Sequence, residues 1–127
     1  MFCCRPVARS STMPLIRVHT SAAAPANAGP LLQELSHQLA SLLGKPERYV
    51  MTSLQAGLAM TFGGDPAPAC YVEVKSIGAL DAARIARLCS VLCDLLHSQL
   101  GVPPDRTYIS FEDVAPQLWG WDGRSFA

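Results

Sequence analysis

The sequence predicts a single α/β (α+β) domain made of two similar β-α-β halves. Three observations carry this. Short alternating apolar segments stand between two leucine-rich stretches with helical spacing. Each stretch stops at a Gly-x-Pro, Gly44-Lys45-Pro46 in the first half and Gly101-Val102-Pro103 in the second, and each stop leads into another strand-like segment through Arg48-Tyr49-Val50 or Arg106-Thr107-Tyr108-Ile109. A chain of 127 residues, half of them hydrophobic, is the right size for one core.

The elements come in order. Pro14 to Thr20 alternates, with Ile16 and Val18 on one face and Leu15, Arg17 and His19 on the other, as a strand requires. Asn27 to Pro30 supplies helix-start chemistry, and Leu32, Leu35, Leu39 and Leu42 recur at helical spacing until Gly44. Tyr49 to Gln55 reads as a second strand. Gly63-Gly64-Asp65-Pro66 is a turn, and Ala69 to Ser76 a third strand with Val72 and Val74 facing one way. Asp81 can cap a long helix whose stripe is Ile85, Leu88, Leu92, Leu96 and Leu100, ended by Gly101 with Pro103 and Pro104 beyond it. Thr107 to Glu112 is a fourth strand. The tail from Val114 is rich in turn residues but keeps Trp119, Trp121 and Phe126.

Two β-α-β units with right-handed crossovers give one four-stranded mixed sheet. Alternation in the strands puts both helices on one face. The other face then holds Arg17, His19, Tyr49, Tyr71, Glu73, Lys75, Tyr108 and Ser110, too polar for a dry core; it is either solvated or part of a wet subunit interface.

Composition excludes several classes. Formal net charge is zero, and without Arg5 and Arg9 the remainder is slightly acidic, so the basic field that nucleic-acid binding needs is missing. No apolar run approaches the ~20 residues that span a bilayer. Met1 to Thr12 holds no apolar stretch long enough for a signal peptide. Five cysteines form an odd set in a leucine-rich chain, which points to a reducing compartment and a cytoplasmic location rather than a disulfide scaffold. Residues 1–12 differ from the rest in being rich in Arg and Ser, with a Cys3-Cys4 pair and no period. They read as a disordered extension, as translation from an upstream start codon, or as a fragment of a targeting peptide; the domain is residues 13–127.

Few constellations bear chemistry. Gly63-Gly64 is not followed by Gly-Lys-Ser/Thr or by a helix start, so it reads as a turn and not a phosphate loop. Cys89, Cys93 and His97 share helical spacing, but Cys89 falls inside the leucine stripe, Cys93 on its edge and His97 outside it. Buried cysteine as a small hydrophobe accounts for them, and no metal is expected. Lys45 stands past the first helix's C-terminus, where a cation suits the helix dipole; the alternative is a cation aimed at a substrate anion. Pro14 directly after Met13 is either a strand-starting proline or, with Met13 removed as an initiator, a free secondary amine. Burial disfavours the ammonium form of such an amine and so makes it a base near neutral pH.

Met13-Pro14-Leu15-Ile16, Gly44-Lys45-Pro46, Phe62-Gly63-Gly64, Ser76-Ile77-Gly78, Asp105-Arg106-Thr107-Tyr108-Ile109 and Gly120-Trp121 through Ser125-Phe126-Ala127 resemble, in order and without gaps over residues 13–127, the macrophage migration inhibitory factor family of tautomerases. The resemblance implies the tautomerase fold, a homotrimer whose sheets line a central channel, and sites between subunits. It implies keto–enol tautomerisation of aryl pyruvates such as phenylpyruvate, and of dopachrome, without a cofactor. Pro14 becomes the catalytic base and Lys45 the cation that holds the substrate carboxylate. The backbone at Ile77 becomes a hydrogen-bonding contact, and Tyr108 and Trp121 become pocket walls. Some animal members are exported without a signal peptide and act as cytokines. A non-catalytic signalling or protein-interaction role, with a receptor or other protein partner, is therefore the alternative reading.

The sequence departs from the family in places. Ser110 stands where many animal members place an asparagine that touches substrate from the neighbouring subunit. Trp119 replaces a small aliphatic residue and should narrow the pocket. The Cys-x-x-Cys of animal members is absent, since Ala69 and Cys70 precede Tyr71 and Val72. While residues 1–13 remain, the Pro14 nitrogen is a tertiary amide without a basic lone pair.

Overall fold

The computed structural model describes residues 13–127; the expectations for residues 1–12 lie outside the described residues. Strand β1 (Leu15–Thr20) leads to helix α1 (Gly29–Leu43) and strand β2 (Met51–Gln55). Strand β3 (Cys70–Ser76), helix α2 (Ala82–Leu100) and strand β4 (Thr107–Asp113) repeat the pattern. The sheet order is β2-β1-β3-β4. Each half pairs its own strands in parallel, and β1 meets β3 antiparallel at the centre, with Val18 opposite Val72. A parallel pair demands a long crossover, and each helix provides one.

One face of the sheet is dry. Ile16 and Val18 from β1, and Cys70, Val72 and Val74 from β3, pack against Leu31, Leu35, Leu39 and Leu43 of α1 and Leu88, Leu92 and Leu96 of α2. Deleting any of these leucine side chains would cost on the order of 2–5 kcal/mol, because the cavity cannot close fully. The other face is polar, as predicted. Arg17 pairs with Glu73 at 3.3 Å, the Tyr71 hydroxyl donates to Glu73 at 3.0 Å, and Lys75 lies 3.7 Å from Glu112. These pairs are partly exposed and contribute little to stability.

Both helix ends match the predicted signals. Asp81 caps α2 by accepting the Arg84 N–H at 2.8 Å. Gly44 and Gly101 end their helices in the left-handed region, with φ of 66° and 73°, where a side chain would be strained. At Gly63-Gly64 the chain reverses, with Phe62 and Asp65 exchanging two backbone hydrogen bonds of 3.0 Å.

The start of α1 falls within Asn27 to Pro30 as expected, with Ala28 at the cap position, a proline in the first turn and the Asn27 side chain accepting from the Gly29 N–H. Three details differ from the sequence reading. The stripe of α1 is Leu31, Leu35, Leu39 and Leu43, while Leu32 and Leu42 only flank it. Tyr49 is not in β2 but ends a 3₁₀ turn, Glu47–Tyr49, because Pro46 turns the chain before the strand begins. The tail forms a small hairpin of β5 (Gly120–Trp121) and β6 (Arg124–Ser125).

Cys70, Cys89 and Cys93 are free thiols, and burial pushes the Cys70 and Cys93 thiols up from their ordinary value. Among the described residues no cluster of His, Cys, Asp and Glu is arranged to hold a metal ion, and no helix is long and apolar enough to cross a membrane.

Candidate active site

A cleft of about 630 Å³ opens at the head of β1. Its lining includes Pro14, Tyr49, Val50, Lys75, Glu112, Trp119 and Trp121, drawn from both halves and from the C-terminal hairpin. The volume is that of a small-molecule site. A proline has no N–H to give to a sheet, so it belongs at a strand's start. Pro14 sits there, buried, and its carbonyl accepts the Met51 N–H at 3.1 Å, which ties its ring to the β1–β2 register.

Met13 precedes it with φ of 68°, in a region that a side chain adopts only under strain. Its side chain is 8% exposed and packs with Ile77 and Phe126, flanked by Tyr49 and Trp119. In the chain that retains Met13, this apolar corner of the site is filled by the methionine.

Lys45 comes after the left-handed Gly44, whose backbone turns the chain back so that the Lys45 N–H donates to the Ala40 carbonyl at 2.9 Å. A lysine serving only the helix dipole would extend into water. This one is 7% exposed, and its ammonium donates to the Ile77 carbonyl at 2.8 Å. Burial holds its pKa below the ordinary lysine value; the carboxylate of Asp113 opposes that shift and Arg84 adds slightly to it. Lys45 is therefore joined to the Met13 corner through Ile77, whose side chain packs on Met13.

Aromatic rings form the remaining wall. Tyr49 meets Trp121 edge to face at 5.5 Å, and Trp121 stacks on Phe126 at 6.3 Å with 6° between planes. Such contacts favour flat apolar ligands.

The structure thus places Pro14 and Trp121 in the lining of the cleft, while Lys45 and Ile77 lie outside that lining and connect to it through the packing of Ile77 with Met13. It does not bring Tyr108 or Ser110 there. Both lie on the outer face of edge strand β4; Tyr108 is 66% exposed and leans on Phe62 at 4.9 Å. Arg48, Tyr49, Lys75 and Glu112 also line the cleft, although no sequence motif marks them for it. Pro46 followed by Glu47 and Arg48 is the available signal for Arg48 and Tyr49, since a proline opening a 3₁₀ turn moves them off the strand.

A family profile described as "Macrophage migration inhibitory factor (MIF)" matches residues 13–127. The macrophage migration inhibitory factor of Meriones unguiculatus is 35% identical over 115 residues, covering 91% of this chain and 100% of that protein. That of Rattus norvegicus is 34% identical over the same share. Among solved structures, the macrophage migration inhibitory factor homologue from Prochlorococcus marinus superposes with a TM-score of 0.87 at 57% identity, covering 89% of this chain and 99% of that one. The factor from Trichinella spiralis gives 0.82 at 28% identity, over 87% and 98%. Agreement of profile, sequence and fold over the whole described region leaves one conclusion: the chain belongs to the macrophage migration inhibitory factor family, within the tautomerase superfamily.

Proposed function

We propose that this chain is a cofactor-independent keto–enol tautomerase of aryl pyruvates such as phenylpyruvate, with dopachrome as a further substrate, acting as a homotrimer. The observation that carries the reading is Pro14, buried in the lining of an aromatic cleft whose Met13 corner packs on Ile77, the acceptor of the Lys45 ammonium. As the first residue of the processed chain, Pro14 is a secondary amine. Its lone pair takes a proton from the carbon next to the keto group, the electrons move onto the oxygen as an enolate, and the same amine returns the proton to that oxygen. Lys45, with the Ile77 backbone beside it, steadies the substrate carboxylate, and Trp121 and Phe126 hold the ring. Every step uses a group of the protein. No metal or cofactor is required.

The packing of Met13 supports a requirement for processing on two counts. Removing it exposes the amine, and it empties the apolar corner against Ile77 and Phe126.

Strands β2 and β4 are both sheet edges with exposed outward residues. Such edges call for a partner. In a trimer, Tyr108 and Ser110 of a neighbouring subunit reach this cleft, which gives these two exposed residues a role. Light scattering at micromolar concentration should give three times the chain mass; a monomer would remove that role. Loss of the enol absorbance of hydroxyphenylpyruvate, catalysed by the chain beginning at Pro14, is the direct test of activity. An inert chain with that N-terminus would reject the enzymatic reading.

One observation favours the second reading. While Met13 is retained, the Pro14 nitrogen is an amide and the corner is filled. A protein that keeps residues 1–13 is then a cytokine-like signalling or protein-interaction protein of the same fold.

A further inference from the structure

Three residues beyond Lys45, the short turn that displaces Tyr49 from the strand presents a cation, Arg48, to the cleft. Arg48 is exposed, and its guanidinium carbon lies 4.7 Å from the centroid of the Tyr49 ring. Tyr49 is in edge contact with Trp121, which stacks on Phe126, so the guanidinium caps one end of an aromatic ladder. The cation–π contact holds the head group over the ring, and solvent exposure keeps its N–H donors available to a carboxylate.

Charge compensation separates Arg48 from the other cations. Lys75, also in the lining, stands 3.7 Å from Glu112. Lys45 is buried on the Ile77 carbonyl. Among the described residues Arg48 has no carboxylate within salt-bridge distance, although the neighbouring Glu47 meets His37 at 3.8 Å. The cleft therefore carries an uncompensated positive charge at its rim, distinct from the buried one behind it.

We propose that Arg48 is a specificity-determining residue whose guanidinium takes a second carboxylate at the far end of the substrate. The favoured substrates are then dianions: a flat apolar body with a keto acid at one end and a carboxylate at the other. This rests on the keto-acid reading above and extends it, since that reading asks only for one carboxylate and a ring. A bidentate guanidinium–carboxylate pair on an aromatic face gives direction as well as charge. Solvent exposure keeps the effect at the low end for charge-assisted bonds, roughly tenfold.

Both tryptophans of the chain, Trp119 and Trp121, line the cleft, so intrinsic fluorescence reports binding directly. The experiment pairs two unreactive acids, phenylacetate and 4-carboxyphenylacetate, with two substrates, phenylpyruvate and 4-carboxyphenylpyruvate. It uses the chain processed to Pro14 and its Arg48→Gln and Arg48→Lys variants. We expect the dianion of each pair to be favoured about tenfold, in Kd for the acids and in kcat/KM for the substrates. The preference should vanish in Arg48→Gln, survive in part in Arg48→Lys, and shrink as salt is raised. Equal affinity for the two acids, or a preference that Arg48→Gln keeps, overturns the proposal. Turnover without a dianion preference leaves the tautomerase reading standing and rejects the role of Arg48. A fluorescence preference without turnover of either keto acid does the reverse.

Discussion

The two β-α-β halves share one plan and are put to different uses. Each helix ends on a left-handed glycine, passes one residue, meets a proline and enters a 3₁₀ turn, Glu47–Tyr49 in the first half and Pro104–Arg106 in the second. The single residue after the glycine sets the two halves apart. In the second half it is Val102, fully buried in the main core. In the first half it is Lys45, equally inward but carrying an ammonium that must find an acceptor, which it does at the Ile77 carbonyl. The turns diverge likewise. Arg106 donates to the carbonyls of Asp65, Ala67 and Pro68 at 2.8–2.9 Å and so pins the preceding loop. Arg48 and Tyr49 face the cleft. One copy of the motif became scaffold and the other lines a site.

That difference can be broken at several points. The largest effect is expected from Val102→Lys, which gives the second half the first half's residue without an acceptor arranged for it. Burying an unpaired ammonium should lower stability by at least about 3 kcal/mol, read as a fall in the urea midpoint. A loss under about 1 kcal/mol, the scale of an ordinary substitution, would mean that the two positions are interchangeable.

Lys45→Ala attacks the other side of the comparison. Losing a charge-assisted hydrogen bond to the carboxylate costs about 1.5–3 kcal/mol, or roughly 10–100-fold in kcat/KM, mainly through KM. Unchanged kinetics would leave Lys45 only its structural bond to the Ile77 carbonyl. The pH dependence adds a sign. Because burial holds the folded pKa of Lys45 below its unfolded value, the charge is lost earlier on the alkaline side than at a surface lysine. KM for an aryl pyruvate should therefore rise with pH before the ordinary lysine value of 10.5 is reached. The same shift means that the cost of burying the charge is fully present at neutral pH and is relieved as pH climbs through the folded pKa towards the unfolded one. A KM flat across that range contradicts the assignment.

Arg106→Ala is expected to have the smallest effect, about 1–2 kcal/mol of stability from the released carbonyls, with kcat/KM unchanged. A kinetic defect at constant stability would show that the scaffold half also serves the site.

Much of this is legible in the sequence because periodicity and punctuation report local forces. The helix stops at Gly44 and Gly101, the Asp81 cap and the polar sheet face of Arg17, Tyr71, Glu73 and Lys75 stand where the residues place them. Sequence spacing alone runs the α1 stripe through Leu32 and Leu42, because every leucine of Leu31-Leu32 and Leu42-Leu43 fits a helical period. Only packing against the sheet selects Leu31 and Leu43. The aromatic ring of Tyr49 suits a strand, yet the proline three residues earlier overrides that preference. Pro14, Lys45, Ile77 and Trp121 are proposed for the site through ordered motifs of the family. Arg48 and Glu112 are not, since their access to the cleft depends on a turn and on a strand edge that no local pattern encodes.

We propose that the first half's Pro14 acts as a base once its nitrogen is free. The measurement is hydroxyphenylpyruvate tautomerisation by two forms of the chain, one beginning at Pro14 and one retaining residues 1–13, each N-terminus confirmed by intact mass. The form beginning at Pro14 should be active, its rate falling as lower pH protonates the amine. The longer form should be slower by about 10²–10⁴-fold, the contribution of a general base. Equal rates from the two forms would contradict the assignment of Pro14.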